Sequence, residues 1–267
     1  MIWPLVVITF KEGLRNRVFQ AVAVLASGLF LLTATFSTFF ARDVVKVAVD
    51  LALSGTVLAG LLLTIFVGNA LIAKDLDRRT VHMVLSRPVS RGAYIVGRFL
   101  GLVALIVTAM FILGALAALS IAWVDRMTSD TYGVAHWPEF GAAIGASTVM
   151  LIVLAAIGLF LASSLSNSFL ALALTIAAYF IGASVEQVKL YLLSGELEAH
   201  VPAMLRQVVL AISYIVPNLA AFDLKLQAAH GLPIASGHLA ALALYGVSYA
   251  TMLIVVAAWI FGRREFP

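Results

Sequence analysis

Six apolar segments, each long enough to cross a lipid bilayer, limit what this chain can fold into. They lie at about residues 18–40, 51–73, 95–123, 140–163, 168–186 and 239–261. A membrane-crossing helix needs about 20 mostly apolar residues, and none of the six segments carries a charge at its middle. Charged residues make up 11% of the chain, against roughly 25% in a soluble domain. The sequence therefore predicts an all-α polytopic membrane protein with six transmembrane helices, in which residues 1–267 form one transmembrane domain.

Basic residues are distributed unequally between the two sides that six spans define. The side with residues 1–17, 74–98, 163–168 and 262–267 carries 11 of the 17 Lys and Arg residues but 4 of the 13 Asp and Glu residues. Cytoplasmic segments are the ones enriched in Lys and Arg. We therefore expect a multi-pass protein of the plasma (inner) membrane with both termini in the cytoplasm. A seventh span within 187–238 is the alternative, and it would place the basic carboxyl terminus outside.

Two apolar segments are not predicted to be spans. Residues 4–17 are too short to cross and end in charges, which predicts an amino-terminal interfacial elbow helix (1–17) lying on the inner leaflet. Its basic residues would meet anionic lipid headgroups there. Residues 202–222 are apolar but interrupted by Pro217, which predicts a short re-entrant or surface helix within the outer connection at 187–238.

The loop between the second and third spans (74–94) combines basic and turn-forming residues. Its first eighteen residues read KDLDRRTVHMVLSRPVSR. Residues 74–85 lack Pro and Gly, so the second helix is predicted to continue through them, whereas Pro88 disfavours helix at Arg87 and the serines favour turns and caps. Two interpretations remain open: a lipid headgroup anchor, which the positive-inside bias alone would produce, or a docking surface for a cytoplasmic partner.

The segment KDLDRRTVHMVLSRPVSRGAYIVGRFLG (74–101) resembles the corresponding loop of type-2 ATP-binding-cassette (ABC-2) permeases. That family typically shows an acidic residue, a Gly-Thr pair, a short apolar helix, a Leu-Ser-x-Pro-x-Ser-Arg turn and a Gly-Lys pair. The matching residues here are Asp77, Thr80, Leu85, Ser86, Pro88, Ser90 and Arg91. Arg79 stands where glycine is usual, and Gly97-Arg98 replaces Gly-Lys.

Three further segments extend the resemblance over the whole chain. TFKEGLRNRVF (9–19) resembles the family's amino-terminal elbow, VPNLAAFDLK (216–225) the segment before its last helix, and FGRREF (261–266) its usual ending. The resemblance implies a permease subunit of an ATP-driven exporter, with two permease chains paired with two separate cytoplasmic ATPase chains. Consistent with this, the chain has no Gly-Lys dipeptide and hence no phosphate-binding loop of the G-x-x-x-x-G-K-[ST] kind.

The resemblance also implies which residues contact the partners. The loop at 74–94, here called the coupling loop, would touch the ATPase subunit through Asp77, Arg78, Arg79, Thr80, Leu85, Ser86, Arg87, Pro88 and Arg91. The elbow would contribute Lys11, Glu12, Arg15 and Arg17. We expect a second permease chain (a homodimer) and membrane lipids as the other partners, and no nucleic acid. No cofactor is expected in this chain, because ATP and magnesium would be held by the partner ATPase.

Other classes of function find little support in the sequence. There is no cysteine, no G-x-S-x-G or H-E-x-x-H motif, and no histidine pair at the spacing of a helical metal site, so neither catalytic nor metal-binding residues are predicted. No ionisable residue lies at mid-membrane, which argues against a proton-coupled carrier. The remaining alternative is a membrane assembly or scaffold factor that binds a partner without transporting anything.

A few residues near or within the spans are assigned to structure. The G-x-x-x-G patterns at 97–101 and 141–145 permit close helix approach, and we expect packing within the chain. Asn69 is interpreted as a buried amide that bonds to another helix. Asp50 and Glu186 border the outer ends of spans and are expected to face water.

Overall fold

The computed structural model describes residues 2–37, 43–71, 90–127, 135–165, 167–193 and 216–263, together with 204, 207 and 213. Every regular element within these residues is a helix, which confirms the predicted all-α class. In chain order they are α1 (Ile2–Leu14), α2 (Arg17–Ser37), α3 (Val44–Leu71), α4 (Arg91–Met127), α5 (Trp137–Ser164), α6 (Ser168–Leu193), a 3-10 turn (Ala220–Phe222), α7 (Lys225–His230) and α8 (Ser236–Arg263).

Five of these helices, α3, α4, α5, α6 and α8, are long and apolar enough to cross a membrane by themselves. The pair α1 and α2 reaches that criterion only together, with a bend of 55° between them, which brings the total to the predicted six. Asn16 produces the break: its side-chain Oδ1 accepts a hydrogen bond from the Val18 N–H at 2.9 Å and so caps α2. The bend gives α1 a direction of its own, while its predicted interfacial position stays a prediction.

Helices α3 and α6 extend furthest beyond the predicted spans, each at the end that is predicted to face outward. Residues 44–50 were predicted to be loop, but they form the first two turns of α3. The predicted start at residue 51 was wrong, because the charged residues Lys46 and Asp50 lie within the helix and not before it. Val44, Val45, Ala48 and Val49 form a buried face of these turns, and Lys46 pairs with Asp43 at 2.8 Å. Helix α6 likewise continues to Leu193, seven residues past its predicted end.

The outer connection contains a helix that the sequence did not predict. Helix α7 has six residues and ends at His230; the next residue, Gly231, has a φ of +61°, the left-handed conformation typical of glycine after a helix. The predicted re-entrant or surface helix at 202–222 lies mostly outside the described residues. Its described end is the 3-10 turn, where Asn218 Oδ1 accepts a hydrogen bond from the Ala221 N–H at 3.2 Å.

Helices α3 and α5 form the centre of the molecule, and α6 and α8 lie at its periphery. About two thirds of the most apolar window of α3 (67%) and α5 (61%) is buried, against 22% for both α6 and α8. Helix α5 packs most extensively on α8, and α4 packs on both α1 and α3. The exposed surface of α6 and α8 is rich in large apolar side chains, as lipid-facing helices require.

Candidate functional site at the amino-terminal helix

Helix α1 packs along the beginning of α4 through two glycines. A Cβ atom built on Gly97 would lie 2.9 Å from the Leu5 Cβ, and one on Gly101 would lie 2.5 Å from the Thr9 Cβ and 2.9 Å from the Val6 carbonyl oxygen. Both helices advance by four residues between these contacts, so they run in the same direction here. The prediction that the pattern at 97–101 packs within the chain is confirmed.

The second glycine pattern behaves differently. A Cβ atom at Gly141 or Gly145 would meet no atom of the described chain within 4 Å. The expectation of close packing within the chain is therefore wrong at 141–145. The difference arises because this turn of α5 presents its glycines away from the neighbouring helices, which sequence spacing alone does not reveal.

A buried ion pair joins the same two helices. Arg98 Nη1 donates hydrogen bonds to Glu12 Oε2 at 2.9 Å and to Thr9 Oγ1 at 3.1 Å. The Arg98 side chain is only 10% exposed and that of Glu12 is 27% exposed. A guanidinium removed from water in this way requires a hydrogen-bonded counter-charge. Glu12 supplies the charge, and its bond to arginine is of the strong, charge-assisted kind.

Tyr94 continues this contact to the last helix. Arg98 Nε donates to the Tyr94 hydroxyl at 3.4 Å, and the guanidinium carbon lies 5.8 Å from the centre of the Tyr94 ring. On the other side the ring stacks on Phe261 of α8, with ring centres 5.8 Å apart and planes at 20°. We call the set Thr9, Glu12, Tyr94, Arg98 and Phe261 the basal joint, because it connects the predicted cytoplasmic ends of α1, α4 and α8.

Most residues predicted to contact an ATPase lie outside the described residues. These are Asp77, Arg78, Arg79, Thr80, Leu85, Ser86, Arg87 and Pro88. Arg91 is the first residue of α4, three residues before the basal joint begins. The predicted capping role of a serine in this turn is seen at Ser90, whose Oγ accepts a hydrogen bond from the Ala93 N–H at 3.3 Å.

The elbow residues divide into two groups. Lys11, Arg15 and Arg17 have exposed side chains, whereas Glu12 is turned inward to Arg98. The sequence prediction grouped these four together and did not pair Glu12 with Arg98. A signal was present, because Arg98 lies inside the predicted third span, where a charge needs a partner.

Asn69 was expected to bond to another helix, but among the described residues its side chain bonds only within its own helix. Its Nδ2 donates to the Ile65 carbonyl oxygen of its own helix at 2.8 Å. The acceptor lies in a π-helical turn (Leu63–Val67), and such turns leave carbonyl groups that a side chain can reach. The Oγ1 of Thr64 in this turn is buried and has no hydrogen-bond partner among the described residues.

The two outer carboxylates also differ from each other. Glu186 was expected to face water, but its Oε2 accepts a hydrogen bond from Asn218 Nδ2 at 3.2 Å. The Asn218 backbone N–H donates to the Tyr245 hydroxyl at 3.0 Å, so this contact connects α6 to α8. Asp50 is exposed as expected. Within the described part of the chain, no group of three His, Asp or Glu residues could hold a metal ion.

Comparison with known proteins assigns the family. The sequence matches the family described as "ABC-2 family transporter protein" over residues 5–266, which include the basal joint and all but the first four residues of the elbow. No curated protein matches the sequence. Permeases of this family are typically non-catalytic and work with an ABC ATPase in a separate subunit. With its five or six membrane-spanning helices, the chain belongs to the ABC-2 family and is a multi-pass membrane permease of an ABC transporter.

Proposed function

We propose that this permease forms the translocation path of an ATP-driven exporter. It functions as a homodimer in the plasma (inner) membrane, with both termini in the cytoplasm. A separate cytoplasmic ATPase, which holds ATP and magnesium, drives it. The ATPase binds the coupling loop (74–94) and the elbow (1–17). The observation that supports this proposal is the basal joint, which attaches α1 firmly to the helix that follows the coupling loop.

The position of the basal joint suits the transmission of force. Arg91 lies in the coupling loop and is the first residue of α4, and Tyr94 and Arg98 follow within the next two turns. A displacement of the loop would therefore carry the base of α4 and, through Glu12, helix α1 as one body. Phe261 would extend the same displacement to the end of α8.

Exposed basic residues of α1 can contact the ATPase. Lys11 and Arg15 project from α1, and in this proposal they line the ATPase surface together with Arg87 and Arg91. Lipid headgroups are the competing ligand for the same cations. Substitution of these basic residues distinguishes the two ligands. Loss of a headgroup contact would weaken membrane anchoring, whereas loss of an ATPase contact would weaken nucleotide-dependent assembly with the ATPase.

Purification of the tagged chain from its native host tests the assignment of the loop. We expect an ATPase subunit to co-purify in stoichiometric amount with the unaltered chain and to be lost from the variant with Arg87→Ala and Arg91→Ala. Arg126→Ala is the matched control, because Arg126 is an exposed arginine at the opposite end of α4. Retention of the ATPase by the double variant would contradict the proposed contact, and a partner bound without nucleotide dependence would favour a scaffold factor.

A reversible crosslink tests whether α1 and α4 move together. The chain contains no cysteine, so Leu5→Cys with Gly97→Cys introduces one defined pair at a site where the two Cβ positions nearly touch. Disulfides need Cβ atoms about 3.5–4.5 Å apart, which a small shift provides. Oxidation should leave the ATPase activity of the complex unchanged. Inhibition that reduction reverses would show that this contact opens during the cycle.

A further inference from the structure

A large cavity lies between α2, α3 and α7, at the end of the spans that is predicted to face outward. Its volume is about 1130 Å³, somewhat above the roughly 300–1,000 Å³ of pockets for drug-sized ligands. One part of its wall is formed by leucines of α2 and α3 with exposed side chains, among them Leu32, Leu51 and Leu58. These leucines would meet either lipid tails or an apolar ligand.

Two lysine–aspartate pairs line the other part of the cavity. Lys46 Nζ lies 2.8 Å from Asp43 Oδ1, and Lys225 Nζ lies 3.4 Å from Asp223 Oδ2. Both pairs are substantially exposed to solvent. Exposed pairs of this kind are held by about 1 kcal/mol or less, so either lysine can also donate to an anionic group of a ligand.

Asp50 is the carboxylate of this lining that has no partner. Its side chain is exposed, and it forms no hydrogen bond or ion pair with any residue that the structure describes. His230 on the opposite wall has its Nδ1 3.1 Å from the Leu226 carbonyl oxygen. Asp50 is therefore a carboxylate at the polar end of the cavity to which no described residue supplies a cation.

The polar and apolar parts follow each other along one face of α3. The charged residues of this face end at Asp50, and the apolar ones continue to Leu58, eight residues further into the helix. At a rise of 1.5 Å per residue, Leu58 lies about 12 Å beyond Asp50. The cavity is thus polar at the outer end of the span and apolar towards the middle of the span, as a molecule with one polar head and an apolar tail requires.

We propose that this cavity binds a zwitterionic membrane phospholipid with an ammonium headgroup, such as phosphatidylethanolamine. The ammonium pairs with Asp50, the phosphate accepts hydrogen bonds from Lys46 and Lys225, and the acyl chains lie against the leucine wall. A phospholipid with an anionic headgroup lacks the cation that Asp50 requires. The site concerns the cavity alone and does not depend on the ATPase partnership proposed above.

Binding of two phospholipids with identical, chain-labelled tails tests the proposal on the purified full-length chain. We expect phosphatidylethanolamine to bind about tenfold more tightly than phosphatidylglycerol. Asp50→Asn should abolish this preference, because it should weaken the binding of phosphatidylethanolamine and leave that of phosphatidylglycerol unchanged. Asp50→Glu, which keeps the carboxylate, should retain the preference. Glu139→Gln is the matched control, since it removes a partly exposed carboxylate of α5 that does not line the cavity.

A second variant addresses the apolar wall. Leu58→Trp should weaken both lipids by filling the space for the tail, whereas Leu119→Trp alters an exposed leucine of α4 outside the cavity and should change neither. Equal binding of the two lipids, or a preference that Asp50→Asn leaves intact, would overturn the proposal. Selective lipid binding without a co-purifying ATPase would support this site and contradict the proposed exporter function. A co-purifying ATPase without selective lipid binding would support the exporter function and contradict this site.

Discussion

Replacing Glu12 with glutamine should weaken the attachment of α1 to α4 by about 2 kcal/mol. Glutamine keeps the length of the side chain and an oxygen that can accept from Arg98 Nη1, so the change removes charge and little else. The Arg98 guanidinium stays nine-tenths buried and keeps its contacts with the Thr9 hydroxyl and with the hydroxyl and ring of Tyr94, but it loses the charged acceptor that Glu12 provides.

The magnitude follows from the geometry of the pair. Two unit charges about 4 Å apart interact by roughly 4 kcal/mol at an effective dielectric constant of about 20. Glu12 is 27% exposed, so water screens part of this energy, and the neutral bond that glutamine retains contributes about 1 kcal/mol. The remaining loss of about 2 kcal/mol corresponds to a change of about 30-fold in the equilibrium between docked and undocked α1.

Hydrogen exchange of the α1 amides in lipid nanodiscs measures this equilibrium, because local opening exposes these amides without global unfolding. We expect exchange in α1 to become about 30-fold faster in Glu12→Gln. Arg98→Met should have a smaller effect, since it leaves a carboxylate that can reach water, and the double variant should regain most of the protection. A rise of less than about threefold in Glu12→Gln, or strictly additive effects, would refute the reasoning.

Three further predictions concern single positions. Gly101→Ala should lower the free energy of unfolding by about 1–3 kcal/mol through overpacking against Thr9. Gly145→Ala, where the new methyl group meets open space, should be neutral or slightly stabilising. Thermal unfolding in detergent compares the two variants, and equal effects would contradict the packing. Thr64→Val should raise the unfolding temperature by removing an unpaired buried hydroxyl, and a lowered temperature would show that the hydroxyl has a partner. Glu186→Gln should lower stability by less than about 1 kcal/mol, because its bond to an amide is only partly buried.

The number and approximate position of the spans could be predicted because each depends on a sum over some 20 residues. An apolar segment of that length has few alternatives to a transmembrane helix. The ends are set by single contacts, and these are where the prediction failed. The first two turns of α3 carry Lys46 and Asp50, which suggest a loop in sequence, but Val45 and Val49 on the opposite face bury themselves against the neighbouring helices.

The basal joint could not be predicted from the sequence because its parts are distant in the chain. Glu12 and Arg98 are separated by 86 residues, and nothing local to either residue specifies the other. The elbow prediction assigned Glu12 the same role as Lys11 and Arg15, which are one turn or less away. Only the packing of Leu5 on Gly97 and of Thr9 on Gly101 selects Glu12 as the residue that meets Arg98.

The cavity was not predicted either, because its walls come from α2, α3 and α7, and α7 is distant from the other two in the chain. Its charged residues differ from those of the basal joint in whether they are paired. In a chain with so few charges, each charge removed from water needs a partner inside the protein, and Arg98 has one in Glu12. A charge paired in this manner fixes two helices and leaves nothing for a ligand to neutralise. Asp50 remains open to solvent and unpaired within the described structure, so a ligand can supply the missing cation. The pairing of the charges thus separates a rigid connection at one end of the spans from a binding surface at the other.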